Sequence, residues 1–161
     1  MKLNNMRIAI TSDAIYPFSL GGSEIRNHEI AKRLVSRGHE IHIYGFKLWK
    51  GPNTLKIDDV IIHGISPTKS LYNLNGKRKP FDQFKVTSRL FFELYNERFD
   101  IIDNASFVFL NCYMLKFLSL FKKTKIVFTW HQYFGEYLIG FMGKLMGTLS
   151  LILERLSVNL T

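Results

Sequence analysis

The sequence predicts an α/β fold built around a parallel β-sheet, and three observations carry that reading. Short apolar runs with strand character recur along the chain: "RIAITS", "EIHIY", "DVIIHGI", "DIIDNA" and "KIVFTW". Stretches with apolar residues at helical spacing separate most of them, which indicates parallel pairing through crossover helices and a sheet covered on both faces. No repeat, low-complexity tract or internal boundary interrupts the alternation in these 161 residues, so one domain over residues 1–161 is expected.

Each element has its own justification. Arg7 to Ser12 reads as a short buried strand. Ser23 to Arg37 follows as a helix, because Ile25, Ile30, Ala31, Leu34 and Val35 recur on one face, and Gly38 stands where a C′ glycine ends a helix. Glu40 to Tyr44 alternates as a second strand, and Asp59 to Ile65 is a third; "FKLWKGPNTLKI" between them reads as a turn-rich excursion. Ser66 to Pro80, with Pro67, Gly76 and "GKRKP", reads as an exposed loop. Phe81 to Arg98 carries Phe84, Ser88, Phe91, Phe92 and Tyr95 at helical spacing. Asp100 opens a fourth strand, Val108 to Phe121 is a strongly apolar helix, and Lys125 opens a fifth strand. A last helical region spans about Gly140 to Leu160. Right-handed crossovers then make a Rossmann-like, doubly wound order of 3-2-1-4-5 the leading topology, in three αβα layers. The chain ends in or just after a helix, where such a domain ordinarily adds another strand, so the sequence reads as part of a larger unit.

Composition narrows the partners. A formal charge of +9 favours anionic ones: nucleic acid, an anionic membrane surface or phosphorylated small molecules. The 14 Phe and 7 Tyr would suit nucleic acid, but they follow core periodicity instead of interleaving with Lys and Arg on one face, so nucleic acid is not expected. The single Cys112 rules out an internal disulfide and a cysteine-built metal site, reads as a packed thiol, and fits a reducing, cytoplasmic setting. The N-terminus lacks the apolar core of a signal peptide, and no run is long enough to span a bilayer.

In an open parallel sheet, ligands gather outside the carboxyl ends of the strands. Gly21 and Gly22 lie there, ahead of a helix whose first turn offers backbone N–H groups and a positive dipole end; a pyrophosphate fits, and so does a turn that merely needs positive φ. Classical dehydrogenase chemistry is not expected, because the dinucleotide fingerprint fails. There is no G-x-G-x-x-G, and Tyr44-Gly45-Phe46 offers no acid for a ribose. A P-loop is absent too. Glu24 and Arg26, in the first turns of the helix, suit sugar hydroxyls and an anionic acceptor respectively, or plain solvation. His131 ends the fifth strand, either donating a ring N–H to a substrate hydroxyl or serving as a structural histidine. Asp103 and Glu136 are candidates for an acid/base pair. His39, His42 and His63 read as strand or loop residues, and no two histidines show metal-ligand spacing, so no metal is expected.

Three stretches together carry a family resemblance: "MRIAITSDAIYPFSLGGSEIRNHEIAKRLVSRGHEIHIYG", "RFDIIDNAS", and "KIVFTWHQYFGEYL" with its trailing "LERLSVNLT". With these the chain resembles the N-terminal half of retaining GT-B glycosyltransferases, specifically glycosyltransferase family 4. The resemblance implies that Gly21 and Gly22 face the diphosphate of a nucleotide-sugar donor, that His131 touches the donor sugar near the reaction centre, and that Asp13, Tyr16, Glu24 and Arg26 shape the acceptor site. It implies no cofactor, the nucleotide-sugar being a substrate. One departure is plain: where the family often shows a histidine-containing run after the fourth strand, this chain has Asp103-Asn104-Ala105.

The resemblance also implies a second domain, in cis or in trans, that holds most of the nucleotide; with half a cleft the isolated chain is expected to be inactive, and the parent to be a hexosyltransferase-type enzyme. The alternative is a non-catalytic subunit or binding module that pairs with a separate donor-binding chain. The acceptor class is a glycan or a lipid-linked one. The basic balance, "GKRKP" and the apolar Phe134 to Leu153 region are compatible with peripheral contact at the cytosolic face of a membrane, or with a segment that simply packs on the sheet.

Overall fold

In a computed structural model the chain is described over residues 5–68, 80–105 and 109–160. In chain order the elements are β1 (Arg7–Thr11), α1 (Gly22–Val35), β2 (Glu40–Lys47), β3 (Thr54–Ile57), β4 (Val60–Pro67) and α2 (Pro80–Asn96), followed by β5 (Ile101–Asn104), α3 (Phe109–Leu118), β6 (Lys125–Phe128), α4 (Tyr137–Met142) and α5 (Lys144–Val158). The sheet runs β3-β4-β2-β1-β5-β6. Every pairing is parallel except β3 with β4. Without β3, the order β4-β2-β1-β5-β6 is the expected 3-2-1-4-5.

The additional edge strand arises inside the stretch read as turns. Leu55 and Ile57 face the core while Thr54 and Lys56 point to solvent. Asp58 and Asp59, at φ 51° and 62°, close a two-residue hairpin onto Val60. Both central residues with positive φ mark a type I′ turn, which Asn-Gly or Asp-Gly usually builds. Asp-Asp hides that signal. The segment from 69 to 79, read as an exposed loop, lies outside the described residues.

Strand alternation splits the core in two. Ile8, Ile10, Ile41, Ile43 and Ile62 pack with Ala31 on the α1 face. Ala9, Tyr44 and Ile102 point the other way and pack with Leu90, Leu94, Leu115 and Leu118 of α2 and α3. Helices therefore cover both faces. Two helix faces differ from expectation. On α1 the expected Ala31, Leu34 and Val35 do pack on the sheet, but Ile25 is exposed and Asn27 and His28 are buried in addition: Asn27 Nδ2 donates to Ser12 Oγ at 3.4 Å and His28 Nε2 meets Asp58 Oδ2 at 2.9 Å. On α2 the sheet side is Val86, Leu90 and Leu94, and the aromatics Phe84, Phe92 and Tyr95 stay outside. The expected aromatic core stripe is thus a surface.

A polar chain closes the amino edge of the sheet. Arg7 bridges Glu40 at 2.7 Å and Glu97 at 2.6 Å. Glu40 also meets His42 Nε2 at 2.6 Å, and His42 Nδ1 meets His63 Nε2 at 2.8 Å. Burial, reinforced by His42, pushes the His63 imidazole down to about 4 from its ordinary 6.5. The unfolded chain therefore takes up this proton first, so the associated stability is whole above about pH 6.5 and is lost as pH falls toward about 4. We expect the thermal midpoint to drop between about pH 7 and pH 4.5, and His63→Gln to flatten that drop, as circular dichroism melts across pH will show.

Candidate functional site

The carboxyl edge is organised by the crossing of the β1–α1 connection over the end of β2. Ser12 N donates to Tyr44 O at 2.8 Å and Phe46 N donates to Asp13 O at 3.1 Å. β2 therefore continues past Tyr44, with its register to β4 shifting at Gly45 and Phe46. A Cβ at Gly45 would lie 2.5 Å from Ser12 O and 2.9 Å from Ile15 Cγ1, so only glycine admits the crossing. Ser12, Asp13, Ala14 and Ile15 are buried by it.

The connection then surfaces at the paired glycines, both exposed. Gly21 is the N-cap of α1 at φ −74°, ψ 160°, with no side-chain cap, and neither glycine takes a positive φ. The turn does not need glycine for its backbone angles. What the glycines supply is room. A Cβ on Gly21 would fall 2.0 Å from Glu24 Oε2, whereas one on Gly22 would meet nothing within 4 Å. Glu24, held by Ser23 Oγ at 3.0 Å, lays its carboxylate over the first turn, where the helix dipole favours negative charge.

Arg26 lies on the other side of α1, toward β5 and β6. There Asp103, half-buried, accepts a hydrogen bond from Thr129 Oγ1 at 2.8 Å through Oδ1. Burial pushes its carboxyl above the usual carboxylate range, a rise moderated by Thr129 and by the charges of Arg26 and His131. Thr129 thus holds Asp103 directly, and Arg26 and exposed His131 bear on it through their charge. Glu136 is the exposed N-cap of α4. Tyr16 also lies apart, its ring 4.6 Å from that of His28, which reaches Asp58 on the β3–β4 turn. Asp13 is buried beneath the connection. Cys112 is buried beside Asn104, its thiol pushed up to about 11, as befits packing rather than reactivity. Among the described residues, no group of three or more His, Cys, Asp or Glu is placed to hold a metal ion.

One residue escaped the sequence reading. Glu154 on α5 is fully buried, and its two oxygens accept the Phe134 N–H at 2.7 Å and the Gly135 N–H at 2.8 Å. It fastens the loop that carries His131 to α5. The signal was a lone carboxylate within the apolar "LILERL" run.

A mostly parallel sheet with helices on both faces and a glycine-led helix after its first strand defines a Rossmann-type α/β domain. Residues 20–161 match the family described as Glycosyltransferase Family 4, and the chain belongs to that family, as a domain of its N-terminal type. The match opens one residue before the paired glycines and includes α1 through α5. Comparison with curated proteins finds no match.

Two substitutions test this construction. Glu154→Gln keeps one acceptor but turns an amide NH₂ toward a backbone N–H, and should cost about 1–3 kcal/mol in chemical denaturation. For Asp103 the folded group holds its proton to higher pH than the unfolded one, so its contribution is whole below the ordinary 3.8 and is lost as pH rises through the folded value. Asp103→Asn should therefore melt above the parent at neutral pH, with the gap closing on acidification.

Proposed function

We propose that this chain is the acceptor-side wall of a sugar-transfer cleft of GT-B type. In this reading the diphosphate of a nucleotide-sugar approaches the first turn of α1 over Gly21 and Gly22. His131 reaches the donor sugar from the end of β6, and Arg26 and Asp103 border the acceptor, a glycan or lipid-linked hydroxyl compound. Asp13 and Tyr16 shape the floor and far side of that region. The observation that carries the proposal is the exposed, uncapped, glycine-led start of α1 on the same sheet edge as His131, in a chain of this family.

Glu24 bears on the sequence of events. Two negative groups cannot share one helix terminus in a low-dielectric cleft, so a diphosphate must displace the Glu24 carboxylate. Glu24 then swings free to accept sugar hydroxyls. Transfer with retention breaks the bond between the anomeric carbon and the donor phosphate oxygen, while the acceptor oxygen bonds that carbon and the hydroxyl proton leaves with the phosphate. Negative charge grows on the leaving diphosphate and needs preorganised positive groups. Backbone amides at Gly21 and Gly22 meet part of that need, and the donor-side wall, in cis or in trans, supplies the rest.

The chain by itself should bind nucleotide-sugars weakly and not turn them over. The test is a panel of UDP- and GDP-sugars, read by calorimetry for binding and by product formation for turnover. Gly22→Val is the informative variant, since a Cβ there meets nothing within 4 Å and the added methyls would cover the amides; a melting curve checks that it folds. About a tenfold loss of binding is expected, equivalent to about 1.4 kcal/mol. Multiple turnover by the unaided chain, or a Gly22→Val protein that binds as the parent does, would refute the proposal.

A further inference from the structure

The loop after β6 presents aromatic rings on the carboxyl edge of the sheet. In "WHQYFGEY", Trp130 is 37% exposed, Tyr133 54% and Tyr137 66%, and His131, Gln132 and Glu136 among them are exposed as well. None of the three rings belongs to either core cluster. Loops are usually the mobile parts of a fold, but this one is pinned at three places. At its start Thr129 N donates to Asn104 O at 3.0 Å, and Thr129 Oγ1 donates to Asp103 Oδ1 at 2.8 Å. In its middle the fully buried Glu154 carboxylate accepts the Phe134 and Gly135 N–H groups at 2.7 and 2.8 Å. At its end Leu138 is buried, and α4 lies so close to α5 that a Cβ on Gly147 would fall 2.3 Å from Ile139 Cα and 2.4 Å from Leu138 O. Burying a carboxylate is among the more expensive placements in a protein. Here both of its oxygens go to loop amides, so the placement serves the shape of the loop.

Tyr and Trp rings held on a fixed backbone lose little freedom on binding, and each offers a flat apolar face with a polar tip. A pyranose has the complementary surface. Its axial C–H bonds gather on one face as an apolar patch, while its hydroxyls project round the rim. A ring takes the patch by stacking, and planar polar side chains take the hydroxyls. Gln132 offers an amide that both donates and accepts, and His131 a ring N–H. The run from Trp130 to Tyr137 contains no Lys or Arg. The positive charge of the chain therefore lies elsewhere, and an anionic ligand is poorly matched to these rings.

We propose that Tyr133 and Tyr137, with Trp130 beside them, form a stacking platform for an uncharged pyranose ring at the end of the acceptor. The proposal rests on the reading of this edge as the acceptor side of a transfer cleft. It narrows the acceptor from any hydroxyl compound to a sugar, whether free or carried on a lipid. Gln132 bonds the hydroxyls at the rim. Glu154 is a positioning residue: it touches no sugar and holds the loop on which the rings stand.

The probes are maltotriose, cellotriose, mannotriose and chitotriose, added at millimolar concentration to the full chain without any nucleotide. Binding is read by saturation-transfer NMR, in which sugar protons are saturated by the protein groups they touch. At least one trisaccharide is expected to bind, with the C–H protons of one pyranose face saturated first when the protein's aromatic protons are irradiated. Tyr133→Ala/Tyr137→Ala should weaken that sugar by about tenfold. Phe92→Ala, which removes a ring of α2 that is 63% exposed, should change nothing. Glu154→Gln keeps every ring but loosens the loop, and should weaken binding severalfold. Melting curves confirm that the variants fold, and the tyrosine pair decides the matter if Glu154→Gln does not. No trisaccharide bound, equal binding by the tyrosine variant, or an equal loss in Phe92→Ala would each overturn the platform. A parallel titration with UDP separates the two readings. Trisaccharide binding that needs the tyrosines, in a chain that UDP leaves untouched, would keep the platform and sink the donor wall; UDP binding with no trisaccharide bound would do the reverse.

Discussion

The fold turns on one close approach. The chain leaving β1 crosses the end of β2 so tightly that residue 45 has no room for a Cβ, and hydrogen bonds from Ser12 to Tyr44 and from Phe46 to Asp13 lock the crossing. This crossing aims the connection. From it the chain rises to the surface at Gly21 and Gly22 on the carboxyl edge, and α1 then descends over Ile8, Ile10, Ile41 and Ile43. A side chain at 45 would lift the connection off the sheet, bare Ile15, and move the start of α1 away from β5 and β6. The position of the α1 start therefore depends on Gly45, well below the surface it sets.

The two edges of the sheet treat charge in opposite ways. At the amino edge Arg7 is satisfied by Glu40 and Glu97, and the chain of contacts continues through His42 to His63. That edge is closed by its own ion pairs. At the carboxyl edge the groups are less completely matched: Asp103 is held by Thr129 under the influence of Arg26 and His131, and Glu24 occupies a helix start that no side chain caps. Burying Asp103 with so few partners raises its carboxyl affinity for a proton, a cost that packing alone does not require. Unfavourable placements of this sort concentrate where a site must be ready for a ligand. Glu154 supports the same edge from behind, fixing the loop after β6 by two backbone N–H groups.

Much of this was legible in the sequence, and the limits have physical causes. Five strands announced themselves as apolar runs, the inner ones because they are buried on both faces. β3 did not, because a four-residue edge strand alternates with polar residues and its turn uses Asp58-Asp59 in place of glycine. On α1 the spacing found Ala31, Leu34 and Val35 but not Asn27 and His28, which bury through hydrogen bonds that hydrophobic spacing cannot register. The aromatics of α2 were assigned to the core on spacing, although Val86, Leu90 and Leu94 form an equally regular and more compact row. At the site, the glycines and His131 stand out locally in the loops that follow strands, although β6 ends at Phe128, short of the expected His131. The grouping of Arg26 with Asp103 and Thr129 does not, since it joins α1, β5 and the end of β6 across the fold.

The central claim is that the amides at the start of α1 meet a phosphate. The most direct measurement is a titration of the ¹⁵N-labelled chain with UDP, followed amide by amide. The account predicts that Gly22, Ser23 and Glu24 move first and furthest, with the His131 loop responding and the amino edge around Arg7 unmoved. Saturable shifts confined to other surfaces, with the first turn of α1 silent, would contradict it.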